Sequence, residues 1–163
     1  MRVTILGCGS SVGVPTLSSG WGACDPANPK NRRRRASILV ETGGKTILVD
    51  TSPDLREQLL AAGSPDIDAV LLTHGHADHT HGLDDLRPLH WRRGAPLSLY
   101  TDRATLTVLR ERFRYMFERV PESPPHFQPP LTAHEIAPGP LAAFNGAIEA
   151  VRQDHGSSGE SLG

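Results

Sequence analysis

The chain has 163 residues, 37% of them hydrophobic and only 5% aromatic, which is material for one core built mainly from Leu, Val, Ile and Ala rather than for several domains. Its 17 Lys and Arg against 18 Asp and Glu give a net charge of −1, a balance that argues against a generally nucleic-acid-binding chain and leaves room for a local basic patch. No apolar run approaches the roughly 20 residues that cross a bilayer. The start, MRVTILGCGS, reads as a first strand and not as a signal peptide, so Cys8 and Cys24 are expected as reduced thiols in the cytoplasm.

In chain order, RVTIL (2–6) is a short β-rich segment, and residues 7–31, rich in Gly, Ser, Pro and Asn, form a long loop of the kind that carries function or moves. ASILVET and KTILVD flank Gly43 and Gly44, a hairpin signal. A helix follows Asp50, with Ser52 as cap, Pro53 in its first turn, Gly63 after its last, and Leu55, Leu59 and Leu60 as its apolar face. IDAVLLT (67–73) has the continuous apolar character of a buried strand and leads directly to His74. LDDLRPL predicts a short helix stopped near Pro88, and LSLY (97–100) another strand. Asp102 caps a helix expected to run to about Phe117, with Leu106, Leu109, Phe113 and Met116 on one side. Residues 120–140 are proline-rich and read as irregular; AIEAVRQ (147–153) alternates as a strand, with His155 just past its end. Interleaved strands and helices indicate a layered α/β fold in one domain spanning 1–163.

The segment THGHADHTHG, residues 73–82, concentrates metal-binding side chains. His74 and His76 are two apart, so in extended backbone both imidazoles point the same way and can share an ion. Asp78 and His79 follow at a turn toward the next helix and can serve a second, displaced ion. Imidazole with carboxylate suits zinc, manganese or iron(II) rather than calcium. Gly75 and Gly82 are read as letting the backbone pass close to a metal or phosphate. The competing reading is a polar loop with incidental histidines; four potential ligands in H-x-H-x-D-H order directly after a buried strand weigh heavily against it.

This pattern resembles the metallo-β-lactamase fold superfamily of metallohydrolases, with His74, His76, Asp78 and His79 on its signature positions. Asp50 matches the superfamily's supporting aspartate, which orients an imidazole ligand and raises its basicity; a helix-capping or turn role is its alternative. GCGSSVGVP, CDPANPKNRRRRAS, LVDTSPDLREQLL and HADHTHGLDDLRPL narrow the likeness to the phosphoribosyl cyclic phosphodiesterase (PhnP-like) branch, with ribonuclease Z and PqqB proteins as relatives. RQDHG is similar to that family's next ligand segment. The resemblance thus implies two divalent ions, zinc or manganese: His74, His76 and His155 on one, Asp78 and His79 on the other, with Asp78 also orienting a metal-bridging hydroxide. It implies an αβ/βα sandwich of which this chain matches mainly the first half. The bridging aspartate and late histidine of the family pattern have no counterpart before Gly163, so the chain is read as truncated on its C-terminal side, with an apolar sheet face lacking its partner layer.

Arg32 to Arg35 read by default as a solvated loop, with a nuclear signal as a compositional alternative. Given the resemblance, Arg35 becomes a candidate phosphate ligand, because its planar fork donates two hydrogen bonds, and Ser10 and Ser11 become candidate donors. His81 is a candidate substrate contact or an exposed first-turn residue. GCGSS lacks nucleotide-binding GxGxxG spacing. Cys24 alone cannot make the cysteine zinc site of some relatives, and Cys8 is read as a packed small residue. His90, His126 and His134 carry no pattern. The expected activity is hydrolysis of a small cyclic phosphodiester or nucleotide, with another ester or thioester, or an inactive metal-binding fragment or subunit, as alternatives. A small phosphate ester is the expected partner, no membrane is involved, and a homodimer is the base-rate assembly.

Overall fold

The computed structural model describes residues 1–124, 126–156 and 159–163. Its centre is a six-stranded sheet whose spatial order follows the chain: β1 (Arg2–Gly7), β2 (Ser37–Thr42), β3 (Lys45–Val49), β4 (Ala69–Leu71), β5 (Leu97–Thr101) and β6 (Leu131–Glu135). The β1–β2 and β2–β3 pairs are antiparallel, and β3 through β6 are parallel. At the β2–β3 hairpin, Gly43 (φ 57°) and Gly44 (φ 74°) take the left-handed backbone that a two-residue turn requires, and Thr42 pairs with Lys45.

Parallel strands need crossovers, here α1 (Leu55–Ala61), then α2 (Ala77–Thr80) with α3 (Arg87–Arg93), then α4 (Arg103–Arg112) with α5 (Arg114–Phe117). These helices collect on one face of the sheet, as successive right-handed crossovers in one direction require. Leu39, Leu48, Val70, Leu99 and Leu131 meet Leu55, Leu59, Leu83, Leu86, Leu109 and Met116 there in one buried cluster. The opposite face is more thinly covered. Leu141, Phe144, Ala150 and Leu162 close over Ile47 and Ala69. A cavity of about 180 Å³ remains between Ile38, Val49, Leu71, Ile136, Ile148 and Leu162. At the β1 edge, Val3 and Ile5 oppose Val40 and Ile38 and are 51% and 67% exposed. The expected apolar face is therefore open over β1, half-covered over β2, where Val40 packs against the capping cluster, and capped over β3 to β5.

Several elements differ from the sequence-based expectations. Residues 131–135 within the proline-rich segment form the sixth strand; the prolines flank it on both sides and none lies inside it, and Leu97 N–H bonds to Pro130 O at its entry, a place where a missing amide donor costs nothing. The short helix expected over LDDLRPL is a 3-10 turn, Leu83–Leu86, which ends just before Pro88 as expected; Pro88 then also opens a second helix, α3, in whose first turn its absent N–H needs no partner and which ends at Gly94 in the left-handed region. The helix expected to run from Asp102 to about Phe117 breaks at Phe113 (φ −126°, ψ 40°). The first crossover helix starts at Leu55, later than expected, and Leu60 is 51% exposed while Gln58, 1% exposed, takes the inner face. Gln58 is held there by donating to Arg35 O (2.8 Å) and accepting from Ser52 Oγ (3.0 Å). The expected strand 147–153 divides into β8 (Glu149–Ala150), which pairs with β7 (Gly139–Pro140), and β9 (Arg152–Asp154), which pairs with β10 (Glu160–Leu162). No helix among the described residues is long and apolar enough to cross a membrane.

Candidate metal centre

The site lies at the carboxyl ends of β3 and β4, where open parallel sheets place their ligands. Asp50 ends β3 with a positive φ of 61°, which Asp tolerates better than most side chains, and is 5% exposed. Its backbone N–H bonds to Leu71 O, and the next amide, Thr51 N–H, bonds to His79 O at 2.8 Å, so strand end and histidine turn are stitched together. Gly82 closes the turn: a Cβ there would stand 2.0 Å from Ser52 O, so its backbone packs against the β3–α1 loop. This corrects the expectation that Gly82 makes room for metal or phosphate. Gly75 would accommodate a Cβ at ordinary contact, 3.6 Å from Val108, so no neighbouring backbone requires glycine there.

Asp50 reaches two histidines by different routes. Its Oδ2 lies 2.6 Å from His79 Nδ1. Its carboxylate also accepts from the Thr73 hydroxyl, at 3.1 and 3.0 Å to the two oxygens, and from Thr73 N–H at 2.9 Å. Thr73 Oγ1 is in turn 2.9 Å from His74 Nδ1. A threonine hydroxyl has one hydrogen. Given to Asp50, it leaves Oγ1 as acceptor for His74 Nδ1–H, and the Nε2 lone pair of His74 is free. That Nε2 is buried and has no hydrogen-bond partner. An orphaned, deeply placed acceptor surrounded by imidazoles is a costly arrangement unless something electropositive occupies it. Burial, and then the neighbouring imidazoles of His79 and His76, push the His74 pKa down to about 4, so this ring is neutral at physiological pH.

His74, His76 and His155 present ligand atoms that all lie within 4.8 Å of one another. Their ring centroids are 4.5 Å (His74–His76), 4.5 Å (His74–His155) and 5.1 Å (His76–His155) apart. His74 is buried at the bottom; His76 and His155 are exposed at the mouth. His155 arrives by tertiary contact. β10 pairs with β9, and Leu162 N–H bonds to Thr73 O at 2.9 Å, which ties the β9–β10 pair to the residue preceding His74.

His79 sits in the short helix α2, its ring 4.2 Å from that of His74 and its Nε2 3.3 Å from Asp78 Oδ2. Burial opposes a charge on His79, but the bond to Asp50 and the charges of Asp50 and Asp78 outweigh it and raise its pKa. Three of the expected side chains, His74, His76 and His155, thus converge on one point; His79 adjoins them through its contact with the His74 ring and carries Asp78 beside it, with Asp50 beneath. Thr73 was not anticipated; it lies beside the motif, but only its contact with both Asp50 and His74 gives it a role.

The other candidates are placed differently. Arg35 gives its backbone N–H, Nε and Nη2 to Asp54, at 2.8–2.9 Å, so its fork is engaged by a carboxylate rather than open to phosphate. That bond to Asp54 chiefly raises the Arg35 pKa, with Asp78 adding a smaller electrostatic contribution. Ser10 and Ser11 are exposed on a turn closed by Gly13 N–H to Ser10 O. His81 is exposed and stands edge-on to Phe113 at 5.6 Å. Of the histidines without a pattern, His134 stacks on Tyr100 at 4.6 Å, and His90 is buried with Nδ1 unpartnered. Cys8 is exposed rather than packed, because it lies at the edge of the sheet beside Arg33.

A family model described as "Beta-lactamase superfamily domain" matches residues 45–162. An octanoyltransferase of Porphyromonas gingivalis is 40% identical over 96% of this chain, which covers 31% of that protein. Among solved structures, a diphosphatase of the PhnP family superposes with a TM-score of 0.77 at 36% identity over 99% of this chain and 60% of its own. The Zn(2+)-bound PqqB of Methylobacterium extorquens gives 0.53 at 32% identity, over 68% of this chain and 40% of its own. The chain therefore spans less than a third of that curated relative and 40–60% of these two solved proteins.

Proposed function

The chain belongs to the beta-lactamase superfamily of metal-dependent hydrolases and has the metallo-β-lactamase fold, and from that premise we propose that its histidine centre serves hydrolysis of a small phosphodiester. The observation that carries the proposal is the convergence of His74, His76 and His155 within 4.8 Å around the unpartnered, buried Nε2 of His74. These three residues would hold one divalent ion, and Asp78 with His79 would face a second. The Zn(2+)-bound state of the PqqB neighbour supports zinc as the first ion to test, with manganese next.

A divalent ion bound there supplies Lewis acidity toward a phosphoryl oxygen and toward water. The chain's own residues do the rest. Asp50 orients His79 directly and His74 through Thr73, and so presents His74 with its Nε2 unprotonated; His79, whose charge Asp50 and Asp78 favour, would give up its Nε2 proton on holding an ion. Asp78, beside His79 Nε2, is placed to accept a proton from the attacking water and to keep it aligned. His76 and His155 line the open side, from which a substrate enters. The PhnP-family diphosphatase and the arginine-rich segment before β2 favour a phosphate ester over a thioester. Hydrolysis of bis(p-nitrophenyl) phosphate with added zinc or manganese tests the reading. Turnover that disappears in His76→Ala is the expected result, and turnover equal in both proteins overturns it.

A further inference from the structure

The run Arg32–Arg35 is not a loosely solvated charge cluster. Its backbone is clamped from two sides: Arg33 and Val14 exchange both amide bonds at 2.9 Å, and Gly9 N–H bonds to Arg34 O at 2.7 Å. The glycine-rich segment after β1 exists for this contact. A Cβ at Gly7 would lie 2.1 Å from Arg35 O, and one at Gly9 2.9 Å from the carbonyls of Arg33 and Arg34. Three of the four guanidiniums are then oriented by groups that carry no negative charge. Arg32 lies over the Trp21 ring at 5.3 Å. Arg33 Nη1 donates to Cys8 Sγ at 3.0 Å, and Arg34 Nη1 to the Glu57 carbonyl at 3.0 Å. Arg2, Arg35, Arg56, Arg92, Arg114 and Arg152 are by contrast each paired with a carboxylate.

Orienting a guanidinium without neutralising it leaves most of its five N–H donors and its full charge available. Arg32, Arg33 and Arg34 line an open groove of about 520 Å³ together with Lys30 and Cys8. They also line a second groove, of about 320 Å³, which runs past Arg35 to the carboxylates of Asp54 and Glu57; Arg34 feels the charge of Asp54 there, so the more open cationic surface is the first groove.

We infer that Lys30, Arg32, Arg33 and Arg34 form a binding site for a compact ligand carrying adjacent phosphates, of the kind found in nucleoside polyphosphates. This deepens the phosphodiester reading and rests on it for the site's place in a reaction: the arginines hold phosphates remote from the bond that is cut. Groove volumes of a few hundred cubic ångströms suit a small molecule. A nucleic-acid strand fits less well. The Trp21 face that would stack a base is taken by Arg32, and a net charge of −1 supplies no long-range attraction to a polyanionic polymer.

The test is titration calorimetry of the full chain, stripped of metal and dialysed, with inorganic tripolyphosphate, inorganic phosphate and the oligonucleotide dT8 as probes. Tripolyphosphate is expected to bind one per chain, at least about tenfold tighter than phosphate, weakening as salt rises. The Arg33→Gln/Arg34→Gln double variant should lose about tenfold or more in affinity, and Arg33→Lys, which keeps the charge, only a few-fold. His76→Ala should bind tripolyphosphate as the parent chain does. No binding, binding indifferent to the double variant, or binding lost in His76→Ala would each overturn the inference, the last by placing the ligand on the histidines. Tighter binding of dT8 than of tripolyphosphate would overturn it in favour of a nucleic-acid track. All these measurements are made without metal, so a failed hydrolysis assay and a failed binding site give separable results.

Discussion

The histidine centre has two halves built in opposite ways. His74 and His79 are anchored from below: both are tied to Asp50, one through Thr73 and one directly, and neither is exposed. His76 and His155 are exposed and reach the same point by backbone placement, the first at the start of α2 and the second through the β9–β10 pair docked on Thr73. Rigid ligands beneath and adjustable ligands at the mouth are what a site needs when one side must stay fixed and the other must admit a substrate. The difference teaches that four potential ligands in six positions, three histidines and an aspartate, are not equivalent position by position.

The largest effect expected from breaking this arrangement comes from removing a convergent ligand. His74→Ala and His76→Ala should each abolish stoichiometric zinc binding at micromolar protein, read by metal analysis after gel filtration. Retention of one full ion by His74→Ala would contradict the view that the buried ring is the floor of the site. Asp50→Asn comes next. It keeps a side chain that tolerates positive φ but removes the acceptor charge serving two imidazoles, and zinc affinity should fall by about 100-fold, the upper end for a group supporting a ligand. Chelator competition measures it. Thr73→Val severs the route to His74 while leaving Asp50 on His79, so the loss should be smaller, about tenfold. If Thr73→Val and parent chain bind zinc equally, the anchored and adjustable halves do not differ in the way the hydrogen bonds imply.

A smaller effect concerns the loop beside the centre. Arg35 holds the Asp54 carboxyl below the usual carboxylate range, with partial burial opposing. Because the folded pKa is depressed, the stabilisation is present above the unfolded value of about 3.9 and is lost as pH falls through the folded value. Arg35→Met should therefore be less stable at pH 7 by at most about 1 kcal/mol, since the pair is partly solvated. Below about pH 4 the difference should shrink toward zero, as followed by thermal melting. A gap that stays constant from neutral to strongly acidic pH would show that the loss is one of packing and not of charge.

The sheet itself shows a parallel contrast. The helix-covered face is continuous, and Leu48, Val70 and Leu99 on it are 0% exposed, so Leu48→Ala should cost about 2–5 kcal/mol. On the other face Ile5 is 67% exposed, and Ile5→Ala should leave the melting temperature of this chain almost unchanged. A large loss at Ile5 would mean that this face is covered in solution.

Much of this was legible from local patterns. The Gly43–Gly44 turn, the buried strand leading into the histidines, the Asp102 cap with its bond to Thr105 N–H at 2.7 Å, and the metal-binding character of the H-x-H-x-D-H segment are all properties of residues close together in the chain. The elements misread were those where local signals compete with packing. Pro88 follows one helical turn and also opens a helix, and the expectation covered only the first. LTAHE lacks strand character until β5 offers it an edge. Leu60 looks apolar, yet the helix rotates so that Gln58 can satisfy Arg35 and Ser52 in the interior.

The amino-acid sequence by itself determined the chemistry available: a run of imidazoles and a carboxylate after a buried strand, an aspartate ending the strand before it, and four consecutive arginines. The tertiary structure decided which of these meet. His155 enters the cluster because Leu162 bonds to Thr73. Thr73 becomes the link from Asp50 to His74, and Arg35 turns to Asp54 while Arg32 and Arg33 stay exposed and Arg34 is half-buried. The reason is physical: turn and strand preferences act over a few neighbouring residues and can be read from them, whereas a hydrogen bond between distant residues forms only where packing brings donor and acceptor within about 3 Å.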